Sequence, residues 1–112
     1  MILFKNSNIR AQAGGGSDAA SRAARGAAHL DGVQPGWQNQ INTNTLNIAH
    51  SHRCALGQVY GTYGAGLSQA HVGARAADLG MVAMTANIDA EYRALTEAWV
   101  QEVEKRRVLA TA

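Results

Sequence analysis

The sequence predicts a mainly α-helical fold: a compact domain of about four helices over residues 17–112, preceded by a flexible N-terminal arm over residues 1–16. Alanine supplies 22 of the 112 residues and proline only one, a composition that favours helix over strand. Apolar residues recur every three or four positions between Ile88 and Val103, as on one face of a helix. A chain of this length forms one domain.

The predicted arm begins with an apolar cluster, Met1-Ile-Leu-Phe4, and ends in Gly14-Gly15-Gly16-Ser17, the composition of a flexible linker. We expect Ile2, Leu3 and Phe4 to bind a partner, either as a short strand or by inserting into a groove. The cluster is too short for a signal-peptide core. With one cysteine and no apolar run of ~20 residues, we expect a cytoplasmic protein with no membrane partner.

The first helix is predicted over residues 18–30, with Ser17 or Asp18 as its cap and with Asp31-Gly32 as its stop ahead of Pro35. Its apolar face is mostly alanine, which contributes little burial energy per residue. This helix therefore depends on close packing over small residues. Arg22 and Arg25 lie one turn apart on its more polar side, where we predict that they bind a partner.

The segment from Trp37 to Ile48 interleaves apolar residues with asparagine and threonine. These polar side chains bond to their own backbone and favour caps and turns. We expect one short helical turn, with Leu46 and Ile48 pointing inward. The caps or turns would come from Asn39, Asn42 and Asn44.

The pattern predicts a continuous helix over residues 53–67, with an apolar face at i, i+4, i+7 and i+11 formed by Leu56, Tyr60, Tyr63 and Leu67. Beside that face runs a glycine stripe, Gly57, Gly61 and Gly64. Each interior glycine costs roughly 1 kcal/mol against alanine, so we expect another helix to pack closely against the stripe. The alternative is that the helix ends at Gly61 or Gly64.

Two further helices are predicted. The first runs from Gln69 to Leu79, capped by Ser68 and stopped by Gly80. After the connector 81–84, the second starts at Thr85 or Asn87. Its apolar face is Ile88, Tyr92, Leu95, Trp99 and Val103, with Glu91, Glu97, Glu102 and Glu104 on the other face and Lys105-Arg106-Arg107 at its end.

Four side chains are candidate metal ligands: His50, His52, Cys54 and His71. The first three alternate along the chain, so they share one side only if the segment is extended. Structural zinc sites usually hold two or more cysteines, and Arg53 would oppose a cation. The favoured interpretation makes the histidines loop or cap residues and Cys54 a small buried apolar group. We expect no cofactor.

Cys54 is also a candidate nucleophile. A thiolate near a helix N-terminus, flanked by His52 and Arg53, would have a lowered pKa. A thiol enzyme also needs an oriented base and an oxyanion hole, and no carboxylate in the sequence is marked as the orienting group. We therefore expect a protein that is not an enzyme.

Nucleic-acid binding is the other alternative. The net charge is +2, and binders usually gather their basic residues on one face. Here the basic clusters are Arg22 with Arg25, and Lys105 to Arg107. They could cooperate only if the first and last helices lie side by side. The favoured interpretation of the second cluster is a solvated helix end.

Several stretches also carry a resemblance: Pro35-Gly36-Trp37, Cys54-Ala-Leu-Gly-Gln-Val-Tyr-Gly61, and Tyr92, Leu95 and Trp99 followed by Arg106-Arg107. Over residues 29–108 the chain resembles a loosely defined group of small proteins encoded by actinobacteria and their bacteriophages. It departs from their pattern between Ile41 and Ile48, where asparagine and threonine replace aspartates. The resemblance implies a phage or actinobacterial setting and a helical domain, and it implies no activity.

These observations favour a protein that acts by macromolecular binding. Protein–protein binding is expected, either as a host-directed binder in the host cytoplasm or as a homo-oligomeric assembly component, with a place in the virion possible. Nucleic-acid binding is the first alternative, and a metal- or thiol-dependent site around Cys54 is the second.

Overall fold

The computed structural model describes residues 16–111, within which the secondary structure is helical with no strand. The expected arm residues Ile2, Leu3 and Phe4 lie outside the described residues. The predicted mainly α-helical fold of about four helices is confirmed. The four α-helices are α1 (Ala19–Val33), α2 (Ala55–Tyr60), α3 (Tyr63–Gln69) and α4 (Ile88–Thr111). Short 3₁₀-helices cover Trp37–Gln40 and Gly73–Arg75.

Helix α1 begins as its sequence predicts and ends later. The Asp18 carboxylate accepts a hydrogen bond from the Ser21 amide at 2.7 Å, and this bond to the backbone lowers the pKa of Asp18. The predicted stop at Asp31-Gly32 is wrong, because the helix continues to Val33. Asp31 instead holds the last turn in place by accepting hydrogen bonds from Trp37 and Arg106.

Helices α1 and α4 form the centre of the fold and run in the same direction. Arg22 contacts Glu91 near their starts, and Asp31 contacts Arg106 near their ends. The backbone at Leu79 crosses between them. A Cβ built on Gly26 would lie 2.1 Å from the Leu79 carbonyl oxygen. The expected close packing over small residues is therefore present, at Gly26 and the adjacent buried alanines of α1.

The two tryptophans meet edge to face in the core. Their ring centroids are 5.6 Å apart with an interplanar angle of 82°, a favoured aromatic geometry. Each indole N–H has a partner: Trp99 donates to the Gly80 carbonyl at 2.8 Å, and Trp37 donates to Asp31 at 2.9 Å. Trp99 is fully buried, as its place on the apolar face of the last helix predicts.

Two of the four glutamates predicted on the outer face of α4 lie elsewhere, whereas Glu97 and Glu104 are exposed as predicted. Glu91 and Glu102 both turn inward, where Glu91 pairs with Arg22 and Glu102 pairs with Arg106. Positions 91, 95, 102 and 106 lie on one side of a helix. That side packs against α1, so it carries acids and arginines that neutralise each other beside the apolar Leu95.

The continuous helix predicted over residues 53–67 is wrong, and the alternative stop at Gly61 is right. Gly61 adopts a positive φ of 101°, which ends α2, and the Thr62 side chain caps α3 by accepting from the Ala65 amide. Within residues 16–111, no helix of the same chain packs along the glycine stripe at Gly61 and Gly64. A Cβ on Gly61 or Gly64 would meet no atom within 4 Å, whereas one on Gly57 would meet the Ser51 carbonyl at 2.3 Å.

The helix predicted over residues 69–79 is wrong as well. Helix α3 already ends at Gln69, and positive φ angles at His71 and Gly73 turn the chain. This turn buries Val72 and Leu79 in the core. Gly80, the predicted stop, does adopt a positive φ of 70°, although it ends a series of turns and not a helix.

The segment between α1 and α2 follows the prediction. One 3₁₀ turn forms at Trp37–Gln40, and Leu46 and Ile48 are buried. The Asn42 side chain accepts from the Asn44 amide at 2.9 Å, which is the expected asparagine turn. The Ile48 amide donates to the Thr96 hydroxyl at 3.0 Å, and this bond fixes the segment against α4. Within residues 16–111, the structure contains no helix with the length and apolar character of a membrane span.

Candidate functional site

The candidate metal ligands are not arranged to bind an ion. The rings of His50 and His52 are 5.9 Å apart. The His52 amide donates to Nδ1 of His50 at 3.1 Å, so the neutral His50 ring carries its proton on Nε2 and has no free lone pair. Nδ1–H of His52 donates to the Gly61 carbonyl at 3.0 Å. Both histidines thus serve as turn-forming loop residues.

His71 is exposed in the turn after α3, and no group of three or more histidine, cysteine or acidic side chains in residues 16–111 could hold a metal ion.

Cys54 is a buried cap and not an activated thiol. Its sulfur accepts a hydrogen bond from the Gly57 amide at 3.2 Å at the start of α2, and the residue is 3% exposed. Burial raises the pKa of the Cys54 thiol, and the hydrogen bond from the Gly57 amide offsets this only in part. The hypothesis of a lowered pKa is therefore wrong. A thiol that stays protonated is a poor nucleophile.

Arg22 lies inside the protein, which corrects its predicted place on the polar side of the first helix. Its Nε donates to the Ala77 carbonyl, its Nη1 to Glu91 and its Nη2 to the Val82 carbonyl, each at 2.7 Å. Its side chain is 3% exposed. Arg22 therefore holds the 77–82 segment against α1 and does not face an external partner.

The remaining basic residues of the two clusters are also largely engaged within the fold. Arg25 pairs with Asp78 at 3.0 Å. No described residue bonds to the buried Nε and Nη1 atoms of Arg25. Arg106 bridges Asp31 and Glu102, and Arg107 donates to the Gln38 and Ile41 carbonyls. The interpretation of the Lys105 to Arg107 cluster as a solvated helix end is wrong for Arg106 and Arg107.

An open groove runs along the first half of α4, and we call it the α4 groove. One wall is the loop 46–49 and the other is the face of α4 that carries Asp89, Arg93, Thr96 and Glu97. The groove has a volume of about 500 Å³. Thr96 accepts from the Ile48 amide, so a hydrogen bond between the two walls sets the width of the groove.

The α4 groove adjoins a smaller apolar recess, which we call the inner pocket. Ala49 and Tyr92 line both, and the inner pocket continues over Ile48, Ser51, Cys54, Tyr63, Met81 and Val82. Its volume is about 100 Å³, less than the ~150 Å³ cavity that admits benzene. It therefore fits a single apolar side chain. Burial here raises the pKa of Tyr63.

Three side chains on the α4 wall are exposed and alternate in charge. Asp89, Arg93 and Glu97 follow one another at four-residue spacing, and within residues 16–111 none of them forms a salt bridge. Ile88, predicted on the apolar face of this helix, is 52% exposed and does not line the groove. The groove thus combines a neighbouring apolar recess with an unpaired charged wall.

A third cavity, the α1–α4 cleft, has a volume of about 250 Å³ and lies between the start of α1 and α4. Ala19 and Ala20 form its α1 side, and Ala94, Ala98 and Gln101 lie on its α4 side. Glu97 lines both this cleft and the α4 groove, so the two cavities flank the same side chain.

The sequence pattern does not predict the α4 groove. It places Leu46, Ile48 and Tyr92 in the core and indicates no role for Arg93 and Thr96. The alternating charges of Asp89, Arg93 and Glu97 were a visible signal, but such a pattern is typical of any solvated helix face. Only the approach of the 46–49 loop to α4 makes that face the wall of a groove.

Comparisons with known proteins found no match: no family model, no curated protein and no solved structure is similar to this chain.

Proposed function

We propose that this protein acts by binding another protein through the α4 groove. The observation that carries the proposal is that the open groove and the inner pocket lie side by side and share Ala49 and Tyr92 in their walls. Protein interfaces draw most of their affinity from a few anchor side chains that fill desolvated pockets. The inner pocket fits one such apolar anchor, and the groove accommodates the residues beside it.

The charged wall supports the same proposal. Exposed charges around an apolar centre contribute orientation and association rate more than affinity. Asp89, Arg93 and Glu97 form that rim, because they have no salt-bridge partner within residues 16–111. A partner with charges of opposite sign at matching positions would therefore bind in one register.

The internal bonds of the arginines favour a protein partner over a nucleic acid. Nucleic-acid affinity comes mainly from basic side chains that neutralise phosphates. Arg22 is paired with Glu91, and Arg106 is paired with Asp31 and Glu102. Neither arginine can bind a phosphate without breaking its ion pair and leaving a buried or half-buried carboxylate without a partner.

The proposed setting is the cytoplasm of an actinobacterium, with the protein supplied by the host or by an infecting phage. The resemblance of the 35–61 and 92–107 motifs supports the phage or actinobacterial part. A sequence with a single cysteine, here the buried Cys54, suits a reducing compartment. In that setting the partner is either a host protein or a second copy of the chain in an assembly.

Site-specific photo-crosslinking tests the proposal. A photo-reactive amino acid at Arg93 samples the groove, and one at Arg75, which is exposed in the turns after α3, is the matched control. In actinobacterial cells we expect one discrete protein adduct from position 93 and none from position 75. The blocking variant Ala49→Arg should abolish that adduct, whereas Ala74→Arg, at an exposed alanine that lines neither cavity, should leave it unchanged.

Mass spectrometry of the adduct distinguishes a host protein from a second copy. Equal labelling from both positions, or an adduct that survives Ala49→Arg, would refute binding through the groove.

A further inference from the structure

We infer that the α4 groove also binds the chain's own first residues, Met1-Ile-Leu-Phe4, which then compete with the external partner. The inference rests on the proposed function, because both ligands use the inner pocket for an apolar side chain. Residues 1–15 lie outside the described residues, so the inference stands on the groove, on the sequence of that segment and on the place where the described chain begins.

The described chain begins close to the α1–α4 cleft, which shares Glu97 with the α4 groove. Gly16 precedes α1 by three positions, and the first residues of α1, Ala19 and Ala20, line the α1–α4 cleft. Glu97 separates that cleft from the α4 groove. A chain that leaves α1 at its N-terminus therefore reaches the groove by crossing the width of a single helix.

The intervening chain is long enough for that crossing. Twelve positions separate Phe4 from Gly16, and an extended chain covers about 3.3 Å per residue, or roughly 40 Å in all. A helix with its side chains is only about 10–12 Å wide. Residues 1–4 can therefore reach the α4 groove even when the intervening residues span far less than their extended length.

The chemistry of the segment matches the groove. Ile2, Leu3 and Phe4 offer three adjacent apolar side chains, and the inner pocket fits one of that kind. Residues 1–15 carry two basic residues, Lys5 and Arg10, and no acid. The groove wall presents two unpaired acids, Asp89 and Glu97, against one unpaired base, Arg93. An apolar segment followed by basic residues is thus complementary to an apolar recess followed by acids.

The same chain is a better source of this ligand than a second copy. A ligand on a short flexible linker that can span the distance is present at an effective concentration in the millimolar range. A second copy reaches that level only when the protein itself is millimolar. At such a concentration, the weak contacts of one apolar anchor and two exposed ion pairs are enough to keep the segment bound in the groove.

Methyl NMR on the full chain tests the inference. The double variant Leu3→Ser, Phe4→Ser removes two of the apolar side chains, and Asn8→Ser is the matched control within the same segment. We expect the methyl signals of Ile48, Met81 and Val82, which line the inner pocket, to shift in the double variant and to stay in place in Asn8→Ser. In the reverse experiment, Ala49→Arg should shift the methyl signals of Ile2 and Leu3.

A synthetic peptide of residues 1–8 measures the competition. It should bind the full-chain double variant about tenfold more tightly than wild type if the segment occupies the groove nine-tenths of the time, and it should not bind Ala49→Arg. Equal affinities for wild type and the double variant, or unmoved inner-pocket methyl signals, would overturn the inference.

Methyl shifts that depend on protein concentration would overturn the same-chain assignment in favour of a second copy. A partner adduct at position 93, together with unmoved methyl signals, would refute the inference and leave the proposed function standing. Methyl shifts without any adduct at position 93 would refute the proposed function and leave the inference about residues 1–4 standing.

Discussion

Replacing Gly26 with alanine tests the packing at the centre of the fold. The added Cβ would lie 2.1 Å from the Leu79 carbonyl oxygen and 2.6 Å from carbon Cζ2 of Trp99. Ordinary carbon–oxygen contacts lie at about 3.3–3.6 Å, so the gap must open by roughly 1.2–1.5 Å. Neither neighbour moves freely, because the Trp99 indole N–H is bonded to the Gly80 carbonyl at 2.8 Å.

Two opposing effects set the magnitude. Alanine gains about 1 kcal/mol over glycine in a helix interior. Overpacking of a core typically costs about 1–3 kcal/mol and occasionally more, and here a backbone carbonyl and a buried indole must both shift. The overpacking cost should therefore lie at the upper end of that range, and we expect Gly26→Ala to lower the free energy of unfolding by about 2 kcal/mol net, which corresponds to roughly 8–16 °C in Tm for a domain of this size.

The assay is urea denaturation followed by tryptophan fluorescence, with Gly32→Ala as the control in the same helix. A Cβ on Gly32 would meet no atom within 4 Å, so this variant should gain up to about 1 kcal/mol from helix propensity alone. Gly26→Ala should be less stable than wild type and Gly32→Ala more stable. The free energies of unfolding of the two variants should therefore differ by several kcal/mol. Equal stability of Gly26→Ala and Gly32→Ala would refute the packing of Leu79 between α1 and Trp99.

Three further predictions concern single residues. Gly61→Ala should lower the unfolding free energy by about 1 kcal/mol or more, because φ at Gly61 is 101°; a higher Tm would contradict the stop at Gly61. Trp99→Ala should cost about 3–5 kcal/mol in denaturant unfolding, and a melt close to wild type would place Trp99 outside the core. Burial would raise the pKa of Glu91, but hydrogen bonds from Thr85, Arg22 and backbone amides outweigh it and hold the pKa at about 2. Since the folded pKa lies below the unfolded value of 4.5, the carboxylate contributes stability above about pH 4.5, and this is lost as the pH falls toward 2. Wild type should therefore lose up to about 3 kcal/mol more than Glu91→Gln over that range, and parallel losses would refute the assignment.

Local patterns in the sequence predicted the features that depend on nearby residues. The apolar spacing from Tyr92 to Val103 predicted α4, and Leu95, Trp99 and Val103 are fully buried there. Asp18 was a predicted cap, and it accepts from the Ser21 amide three residues later. Local patterns also predicted the fold class and the inward positions of Leu46 and Ile48. Helix periodicity and capping act over one or two turns, so they are visible in a short stretch of sequence.

Contacts between distant segments decided the rest. Arg22 and Glu91 look like ordinary surface residues of two amphipathic helices, yet they pair across 69 positions and hold the 77–85 segment between them. Close backbone approach occurs at Gly26 and, within the stripe, only at Gly57 and not at Gly61 or Gly64, because what matters is the backbone that crosses the glycine. The α4 groove likewise exists only because the 46–49 loop lies against α4.

The sequence by itself therefore determined which stretches could form helices and which faces could be buried. The tertiary structure decided which helices end early, as at Gly61, and which charged side chains turn inward. The physical reason is that a positive φ or a buried ion pair is favourable only when distant parts of the chain supply the compensating contacts. No short window of sequence contains both partners of such a contact.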